Sequence, residues 1–234
     1  MYRGDIEIKG GNMKYTFIVA AAGSGKRMGL GYPKQFLEYQ GKPIFIKTLE
    51  KIDQNPRVTD IIVVTNKEYT EKVEKLCEKY RIKKIKCVVQ GGKERQDSIQ
   101  NALEKTGNSE IIAVQDGVRP FIENRFIEDS YRILEKNCDV DGVVIGVPVK
   151  DTIKLVDKDG FITSTPDRSL LMAAQTPQVF RGEILKKAYS DASKSNYLGT
   201  DDSSLVERIN GKVIVLEGSY NNIKITTQED LKYL

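Results

Sequence analysis

Residues 17–36, with the sequence FIVAAAGSGKRMGLGYPKQF, join an apolar run directly to a glycine-rich loop. Gly23 and Gly25 lack side chains, so the backbone can approach an anion closely and direct N–H groups at it. Three cations of this segment would neutralise such an anion: Lys26, Arg27 and Lys34. A strand followed by such a turn predicts a phosphate-binding loop, although a tight strand-to-helix turn with a solvated basic rim would use the same residue types.

Two common phosphate-binding motifs do not match this loop. A Walker A motif requires glycine where Ala20 stands and Ser or Thr where Arg27 stands, which argues against a P-loop NTPase. A dinucleotide-binding fingerprint that begins at Gly23 requires glycine at Met28, which argues against a nicotinamide or flavin cofactor. The pattern that remains is G-x-G-x-R-M followed by P-K-Q-F.

Apolar runs alternate with amphipathic stretches along the chain. The predicted strands are residues 17–21, 60–65, 86–89, 110–115 and 141–149, and the predicted helices are residues 43–54, 68–80, 95–105 and 124–136. This alternation indicates an α/β fold in which a mostly parallel sheet carries helices on both faces. Ligands bind such sheets beyond the carboxyl ends of the strands. We therefore expect one site that combines the glycine-rich loop with residues 91–98 and 116–119.

Residues 150–165 interrupt this alternation. Two short alternating runs flank a DKDG turn, which predicts a β-hairpin. Such a hairpin is either a surface flap or an arm that packs against a partner, and the residues alone do not decide between the two.

The length of 234 residues suits one α/β domain, which we assign to residues 13–234. Residues 1–12 lack the apolar core of a signal peptide and precede Met13, so we expect an upstream start or a flexible N-terminal extension. No apolar run approaches the roughly 18 residues of a membrane helix, so no membrane association is predicted. The net charge of +4 gives little support for nucleic-acid binding.

Histidine is absent from the chain, and the three cysteines lack CxxC spacing. Without histidine there is no Ser-His or Cys-His nucleophile, so catalysis must depend on carboxylates, cations and backbone dipoles. The cysteine spacing indicates neither a zinc site nor a disulfide framework, and we expect buried thiols in a reducing cytoplasm.

The glycine-loop pattern resembles the cytidylyltransferases that activate polyol phosphates with CTP, above all the 2-C-methyl-D-erythritol 4-phosphate cytidylyltransferase family of the non-mevalonate isoprenoid pathway. Further matching blocks follow in order: GGKERQDSI at 91–99, QDGVRPF at 115–121, VPVKDTIK at 147–154, TPDR at 165–168, QTPQVF at 175–180, GTDDSSLVE at 199–207 and NNIKITTQEDL at 221–231. The resemblance implies a Rossmann-like fold, a homodimer with a hairpin dimerisation arm at about 150–165, and Mg²⁺ or another divalent cation.

The resemblance also implies roles for individual residues. In the implied reaction, a phosphate oxygen of the polyol phosphate attacks the α-phosphorus of CTP and pyrophosphate leaves. The implied catalytic cations are Arg27, Lys34 and Lys224. The implied nucleotide-binding residues are Ala21, Ala22, Gly23, Gly25, Gly92, Ser98 and Asp116. Asp116 would also hold the metal, and the polyol phosphate would contact Arg119, Thr152, Arg168 and Thr200.

Two of these residues can also be interpreted from their local sequence. Asp116 directly follows a predicted strand, where a carboxylate at the solvent edge can hold Mg²⁺ against phosphates, although a turn or helix-capping aspartate is the alternative. From that location we expect Asp116→Asn to leave the melting temperature nearly unchanged. Lys224 lies in a β-like run between Ile223 and Ile225, and its position alone suggests no more than a solvated face.

The chain departs from the family pattern at two positions. Lys93 follows the Gly-Gly pair where many relatives carry an acidic residue, so a side-chain contact there to CTP is not assigned. Gln115 replaces the usual histidine before Asp116, so the local packing must differ. Asp151 and Asp201 either orient the phosphate-binding groups or serve as turn residues.

Two other functions remain open at this point. A ribitol-5-phosphate cytidylyltransferase of teichoic acid synthesis shares the glycine loop and the QTPQ segment. A catalytically silent nucleotide-binding protein is the alternative from another class, although Arg27, Lys34, Asp116 and Lys224 are all retained.

Overall fold

The computed structural model of the protein describes residues 13–23 and 31–234. The predictions for residues 1–12, Gly25, Lys26 and Arg27 lie outside these described residues, so they remain predictions.

Strands and helices alternate through the described part of the chain. The strands are β1 (Tyr15–Ala20), β2 (Glu38–Tyr39), β3 (Lys42–Pro43), β4 (Val58–Thr65), β5 (Ile85–Gln90), β6 (Ile111–Asp116), β7 (Gly142–Pro148), β8 (Leu155–Val156), β9 (Ile162–Ser164), β10 (Met172–Arg181) and β11 (Val213–Glu217). The α-helices are α1 (Ile44–Asp53), α2 (Thr70–Lys79), α3 (Arg95–Leu103), α4 (Asn124–Lys136), α5 (Gly182–Lys194) and α6 (Asp202–Arg208). Short 3₁₀ helices are Lys34–Phe36, Lys67–Tyr69, Arg168–Leu170 and Gln228–Tyr233.

Seven of these described strands form the central sheet in the order β11-β7-β10-β6-β1-β4-β5. Neighbouring strands are parallel except where β10 pairs antiparallel with β6 and β7. The predicted α/β class with a mostly parallel, Rossmann-like sheet is therefore confirmed. In the register of β1, Ala20 is level with Asp116 of β6 and with Val64 of β4, so three strands end side by side.

Helices cover both faces of the sheet because the side chains of the central strands alternate between two apolar layers. Phe17 of β1 packs in the layer that contains Phe45 of α1 and Phe126 of α4. Ile18, the next residue, packs in the layer that contains Ile99 of α3 and Tyr189 of α5. Each named side chain is fully buried. The core thus fixes the sheet from both sides and leaves its carboxyl edge for the loops.

Several elements differ from the sequence-based expectation. The pattern above does not identify β10, β11, α5 or α6. Strand β10 is not predicted because Gln175, Thr176 and Gln178 interrupt its apolar pattern. In the structure these three polar residues are buried and have hydrogen-bond partners that are distant in sequence. The β-like run around Lys224 is not a strand, since the structure assigns no strand to residues 221–226.

The predicted hairpin is present. Strands β8 and β9 pair antiparallel and form a small sheet apart from the central one. The hairpin and the segment after it expose large apolar side chains, including Phe161 at 72% and Leu170 at 81% exposure. Exposed apolar clusters of this kind are typical of surfaces that contact another protein.

The three thiols are free and differ in environment. Cys77 is buried, and burial raises its pKa to about 12. Cys87 is half-buried and Cys138 is exposed, so the expectation of three buried thiols is wrong. Cys138 is exposed because it lies in the loop that follows α4.

The longest helices in the described ranges, α4 and α5, each have 13 residues. None of the described helices is long and apolar enough to cross a membrane.

Candidate functional site

A cavity of about 420 Å³ lies at the carboxyl edge of the sheet, where β1, β4, β5 and β6 end. The structure places eight of the predicted site residues around it: Ala21, Ala22, Gly23, Lys34, Gly92, Ser98, Asp116 and Lys224. It is also lined by residues without a predicted role, namely Ala20, Gln35, Asn66, Lys93, Glu94, Arg95 and Val118. Where the structure describes them, the start of the glycine-rich loop, residues of the 91–98 segment and the start of the loop after β6 meet at this edge, as predicted.

The P-K-Q-F segment is attached directly to the end of β1. Nε2 of Gln35 donates a hydrogen bond of 2.6 Å to the carbonyl oxygen of Ala21. Lys34 precedes it in the short 3₁₀ helix, and its Cε lies 4.0 Å from where a Cβ on Gly23 would stand. Gln35 thus holds the lysine over the first glycine of the loop.

The loop after β5 is shaped by Ser98 and by the beginning of α3. The Ser98 hydroxyl accepts a hydrogen bond of 3.0 Å from Gly92 N–H and donates one of 2.9 Å to the Glu94 carbonyl oxygen. A capping box between Glu94 and Asp97 fixes the first turn of the helix. A Cβ on Gly92 would lie only 2.3 Å from Cβ of Asp97, so this position excludes any side chain.

We expect Gly92→Ala to lower both stability and affinity for CTP, the nucleotide implied by the sequence resemblance. Relieving the overlap with Asp97 requires the helix start or the loop to move, and such overpacking costs about 1–3 kcal/mol. The same movement displaces Ser98 and this wall of the cavity. Thermal denaturation and the KM for CTP measure the two effects. An alanine variant with the wild-type melting temperature and KM would show that the cavity wall tolerates a side chain here.

Asp116 forms the centre of a charged cluster at the end of β6. Its Oδ2 lies 3.0 Å from Nζ of Lys224 and 3.2 Å from Nε of Arg119. Burial alone raises the pKa of the Asp116 carboxyl, but the nearby cations, Lys224 foremost, outweigh burial and hold the pKa below its usual value. Asp116 therefore remains a carboxylate at neutral pH.

Asp116 is not the solvent-edge carboxylate expected from the sequence. Its side chain is only 9% exposed, and Lys224 and Arg119 lie against its carboxylate. Its backbone N–H also bonds the Thr176 hydroxyl of β10 at 3.1 Å. From this burial we expect Asp116→Asn to lower stability rather than to leave the melting temperature nearly unchanged.

Arg119 does not line the cavity defined by the described residues. It is buried, and its Nη1 donates a hydrogen bond of 2.6 Å to the carbonyl oxygen of Asn222. Burial lowers its pKa, and the carboxylate of Asp116 offsets only part of this effect. In this chain Arg119 bridges two loops of the site, while its predicted contact with the polyol phosphate stays a prediction.

Arg95 is a site residue that sequence reasoning did not assign. It lines the cavity, and its Nη1 and Nη2 form a bidentate pair with Asp202 at 3.1 and 2.5 Å. Asp202 is fully buried and also accepts a hydrogen bond from the Tyr189 hydroxyl. Burial by itself lowers the pKa of Arg95, but Asp202 outweighs it and raises the pKa. Arg95 and Asp202 both lie in sequence blocks that match the cytidylyltransferase family, at 91–99 and 199–207, and this match was the only signal in the sequence that could have pointed to them.

The other predicted substrate-binding residues lie outside the cavity. Thr200 lines an adjoining pocket of about 120 Å³ that shares Glu94 and Arg95 with it. Thr152 and Arg168 lie on either side of the hairpin and are exposed, with Nη1 of Arg168 bonded to the Lys150 carbonyl oxygen at 2.7 Å. One chain therefore does not bring Thr152 and Arg168 to the cavity.

The two departures from the family pattern differ in their surroundings. Lys93 is exposed and lines the cavity. Gln115 is fully buried, and its Nε2 donates to the Asp116 carbonyl oxygen at 3.2 Å. Its Oε1 has no hydrogen-bond partner among the residues that the structure describes. Asp201 serves as the N-cap of α6, which supports the turn interpretation of that residue.

Comparisons with known proteins agree over nearly the whole chain. The sequence profile of IspD, 2-C-methyl-D-erythritol 4-phosphate cytidylyltransferase, matches residues 15–233. The enzyme of that name from Fusobacterium nucleatum is 49% identical over all of both chains, and that from Clostridioides difficile is 46% identical over 93% of this chain and 90% of its own.

Solved structures give the same result. The 4-diphosphocytidyl-2C-methyl-D-erythritol synthase of Anaerococcus prevotii superimposes with a TM-score of 0.83 at 33% identity, over 95% of this chain and 94% of that chain. The Francisella tularensis 2-C-methyl-D-erythritol 4-phosphate cytidylyltransferase superimposes with a TM-score of 0.79 at 31% identity, over 94% and 97%.

The fold and these relatives together define the class, an α/β nucleotidyltransferase. Within that class, the match over residues 15–233 is specific, and the chain belongs to the 2-C-methyl-D-erythritol 4-phosphate cytidylyltransferase family. The resemblance drawn from the sequence motifs is confirmed.

Proposed function

We propose that this chain transfers CMP from CTP to 2-C-methyl-D-erythritol 4-phosphate, giving CDP-methylerythritol and pyrophosphate, in the non-mevalonate isoprenoid pathway. The observation that carries the proposal is the cavity at the sheet edge, where Lys34, Lys224 and Asp116 meet on a chain of this family.

The proposed step needs charge neutralisation more than proton transfer. An oxygen of the polyol phosphate attacks the α-phosphorus of CTP, a new P–O bond forms, and the bond to the pyrophosphate leaving group breaks. A phosphate dianion has no proton to lose, which suits a chain without histidine. Lys34 and Lys224 would stabilise the developing charge. The family resemblance assigns Arg27 to the same task, although Arg27 is not among the residues that the structure describes.

The nucleotide would lie between the first strand and α3. Ala21, Ala22 and Gly92 offer backbone groups and little bulk at the cavity wall, so main-chain donors and acceptors can reach the cytosine edge. Ser98 fixes Gly92 through its hydrogen bond and completes this wall.

Asp116 fits a divalent cation that is held mainly by the substrate. Among the described residues, no three His, Cys, Asp or Glu side chains come together as a metal site. Mg²⁺ often takes only one or two carboxylates, with phosphate oxygens and water completing its shell. Asp116 lines the cavity as a carboxylate, and its contacts to Lys224 and Arg119 both use Oδ2. The cation would neutralise phosphate charge during the transfer.

We further propose a homodimer located in the cytoplasm. The apolar side chains on the hairpin give a second copy a surface to cover, and the three free thiols suit a reducing compartment. Thr152 and Arg168 would then act in the cavity of the partner subunit, which explains why neither of them lines the cavity of its own chain.

Subunit mixing tests this arm exchange. We expect Arg168→Ala to raise the KM for the polyol phosphate and to spare CTP affinity, because the lost guanidinium contacts only the second substrate. When the Arg168→Ala protein is mixed with the Lys34→Ala protein, the two should form heterodimers with one intact site. At polyol phosphate concentrations far below the raised KM, activity should then rise above either parent, to about a quarter of the wild-type value for random exchange in a twofold dimer.

A second mixture provides the matched control. Lys34 and Lys224 line one cavity in the same chain, so Lys34→Ala mixed with Lys224→Ala leaves every site defective. This mixture should recover nothing. If subunits demonstrably exchange and the Arg168→Ala mixture also recovers nothing, Arg168 does not serve the partner's site.

The substrate itself is tested by competition between polyol phosphates. Purified protein with CTP and Mg²⁺ should release pyrophosphate rapidly with 2-C-methyl-D-erythritol 4-phosphate and slowly with ribitol 5-phosphate. Preference for ribitol phosphate would support the sister enzyme of teichoic acid synthesis, which none of the relatives named above supports. No release with either would support the silent nucleotide-binding protein.

A further inference from the structure

Lys224 lies on a segment that has no strand or helix to hold it. Residues 221–226 form irregular structure, yet the Lys224 ammonium is 3.0 Å from Asp116. A lysine side chain has several rotatable bonds, so a defined position for its ammonium requires a fixed backbone.

Asn222, two residues before Lys224, attaches this segment to β10. It is fully buried, and its Nδ2 donates hydrogen bonds to the Thr176 carbonyl oxygen at 3.0 Å and to Oε1 of Gln175 at 3.2 Å. Nε2 of Gln175 in turn donates to the Ser219 carbonyl oxygen at 2.9 Å. Both attachments of the Asn222 side chain therefore run through one amide nitrogen.

The backbone of the same segment is attached to the loop after β6. The Asn222 carbonyl oxygen accepts a hydrogen bond from Arg119, which also pairs with Asp116. One residue beyond Lys224, the N–H of Ile225 donates to the Val118 carbonyl oxygen at 2.9 Å. The segment is thus held on one side by β10 and on the other by the loop that carries the carboxylate.

We infer that Asn222 is a positioning residue for the transfer reaction: it holds the segment so that the Lys224 ammonium stays at the Asp116 carboxylate. This inference rests on the proposed function, because it deepens the role given there to Lys224. Asn222 is fully buried and does not line the cavity, so it acts through Lys224 rather than on substrate.

The test is a double-mutant cycle between Asn222 and Lys224. Misplacing a catalytic group by about 1 Å can cost as much as 10²-fold in rate, so we expect Asn222→Ala to lower kcat about 10- to 100-fold. The KM for CTP should change little. In the Lys224→Ala background the same substitution should have almost no further effect, because the group that it positions is gone.

Asn55 provides the matched control. It is a similarly buried asparagine whose Nδ2 donates hydrogen bonds to Asn124 and Glu128, and none of these three residues lines the cavity. Asn55→Ala should lower the melting temperature and leave kcat unchanged. If Asn222→Ala lowers kcat equally in both Lys224 backgrounds, or no more than Asn55→Ala does, the inference is overturned.

Two further measurements keep the test decisive. If Asn222→Ala does not fold, Gln175→Leu removes one of the two acceptors of the Asn222 amide. It should give a smaller decrease in kcat that again disappears in the Lys224→Ala background.

Hydrogen exchange at the Ile225 amide should become about tenfold faster in the Asn222 variant, as expected for local opening. A wild-type protein without transferase activity would refute the proposed function, whereas unchanged exchange at Ile225 would refute the positioning role by itself.

Discussion

Replacing Lys224 by alanine should lower kcat about 10²- to 10³-fold, the usual cost of removing one donor that stabilises transition-state charge. The protein has little covalent work in phosphoryl transfer, so each cation carries a large share of the catalysis. The same loss is expected for Lys34→Ala. Folding should survive in the Lys224 variant, since the Lys224 side chain is 39% exposed and Arg119 still pairs with the Asp116 carboxylate. Steady-state kinetics with both substrates measures the effect.

Lys187 is the control for these two variants. It is an exposed lysine on α5, a helix none of whose residues lines the cavity. Lys187→Ala should retain wild-type kcat and melting temperature. Near-wild-type turnover in a folded Lys224→Ala or Lys34→Ala protein would remove that lysine from the catalytic assignment.

Asp116→Asn should lose both activity and stability. Removing one partner from a buried ion pair typically costs 3–5 kcal/mol, and we take about 3 kcal/mol because Lys224 can return its charge to water. For a chain of this size that corresponds to a decrease in melting temperature of about 6–12 °C. Activity and its Mg²⁺ dependence should weaken as well, since the substituted amide no longer attracts a cation.

The stability effect should depend on pH. The pKa of Asp116 is lowered in the folded protein, so its contribution is complete above the unfolded pKa of about 3.9 and is lost as pH falls through the folded value. The gap in melting temperature between wild type and Asp116→Asn should therefore be constant near neutral pH and shrink below about pH 4. Denaturation scans across this range measure it.

An exposed ion pair serves as the comparison. Glu71 pairs with Lys75 on the surface of α2. Glu71→Gln should change neither activity nor melting temperature measurably, as is usual for exposed pairs. If Asp116→Asn behaves like Glu71→Gln, the charged cluster at the end of β6 contributes neither to stability nor to the transfer reaction.

Local sequence patterns were sufficient for the frame of the site. The continuous apolar runs of β1 and β6 place Ala21 and Asp116 at neighbouring strand ends, and glycine spacing identifies the loops that follow. These features depend on residues close together in sequence, where periodicity and small side chains are informative.

Contacts between distant segments could not be predicted in the same way. Arg95 and Asp202 are 107 positions apart, and nothing near either residue indicates the pairing. Asp116 looks solvent-exposed from its strand-end position, but in the structure it is only 9% exposed, with Lys224 and Arg119 against its carboxylate and Thr176 of β10 bonded to its backbone. Strand β10 is not evident from the sequence, because its polar side chain Gln175 is accepted in the core only with a distant partner such as Asn222. Burial of polar groups depends on partners that the tertiary fold supplies.

³¹P NMR of one reaction mixture tests most directly whether this chain joins CMP to a polyol phosphate. Wild-type protein is incubated with CTP, Mg²⁺ and 2-C-methyl-D-erythritol 4-phosphate, with the Lys224→Ala protein in a parallel sample. The expected result is that CTP and the substrate phosphate disappear together while a new diphosphate diester and an equal amount of pyrophosphate appear, and that the variant lags far behind. Unchanged CTP, or CTP hydrolysed without formation of the diester, would contradict it.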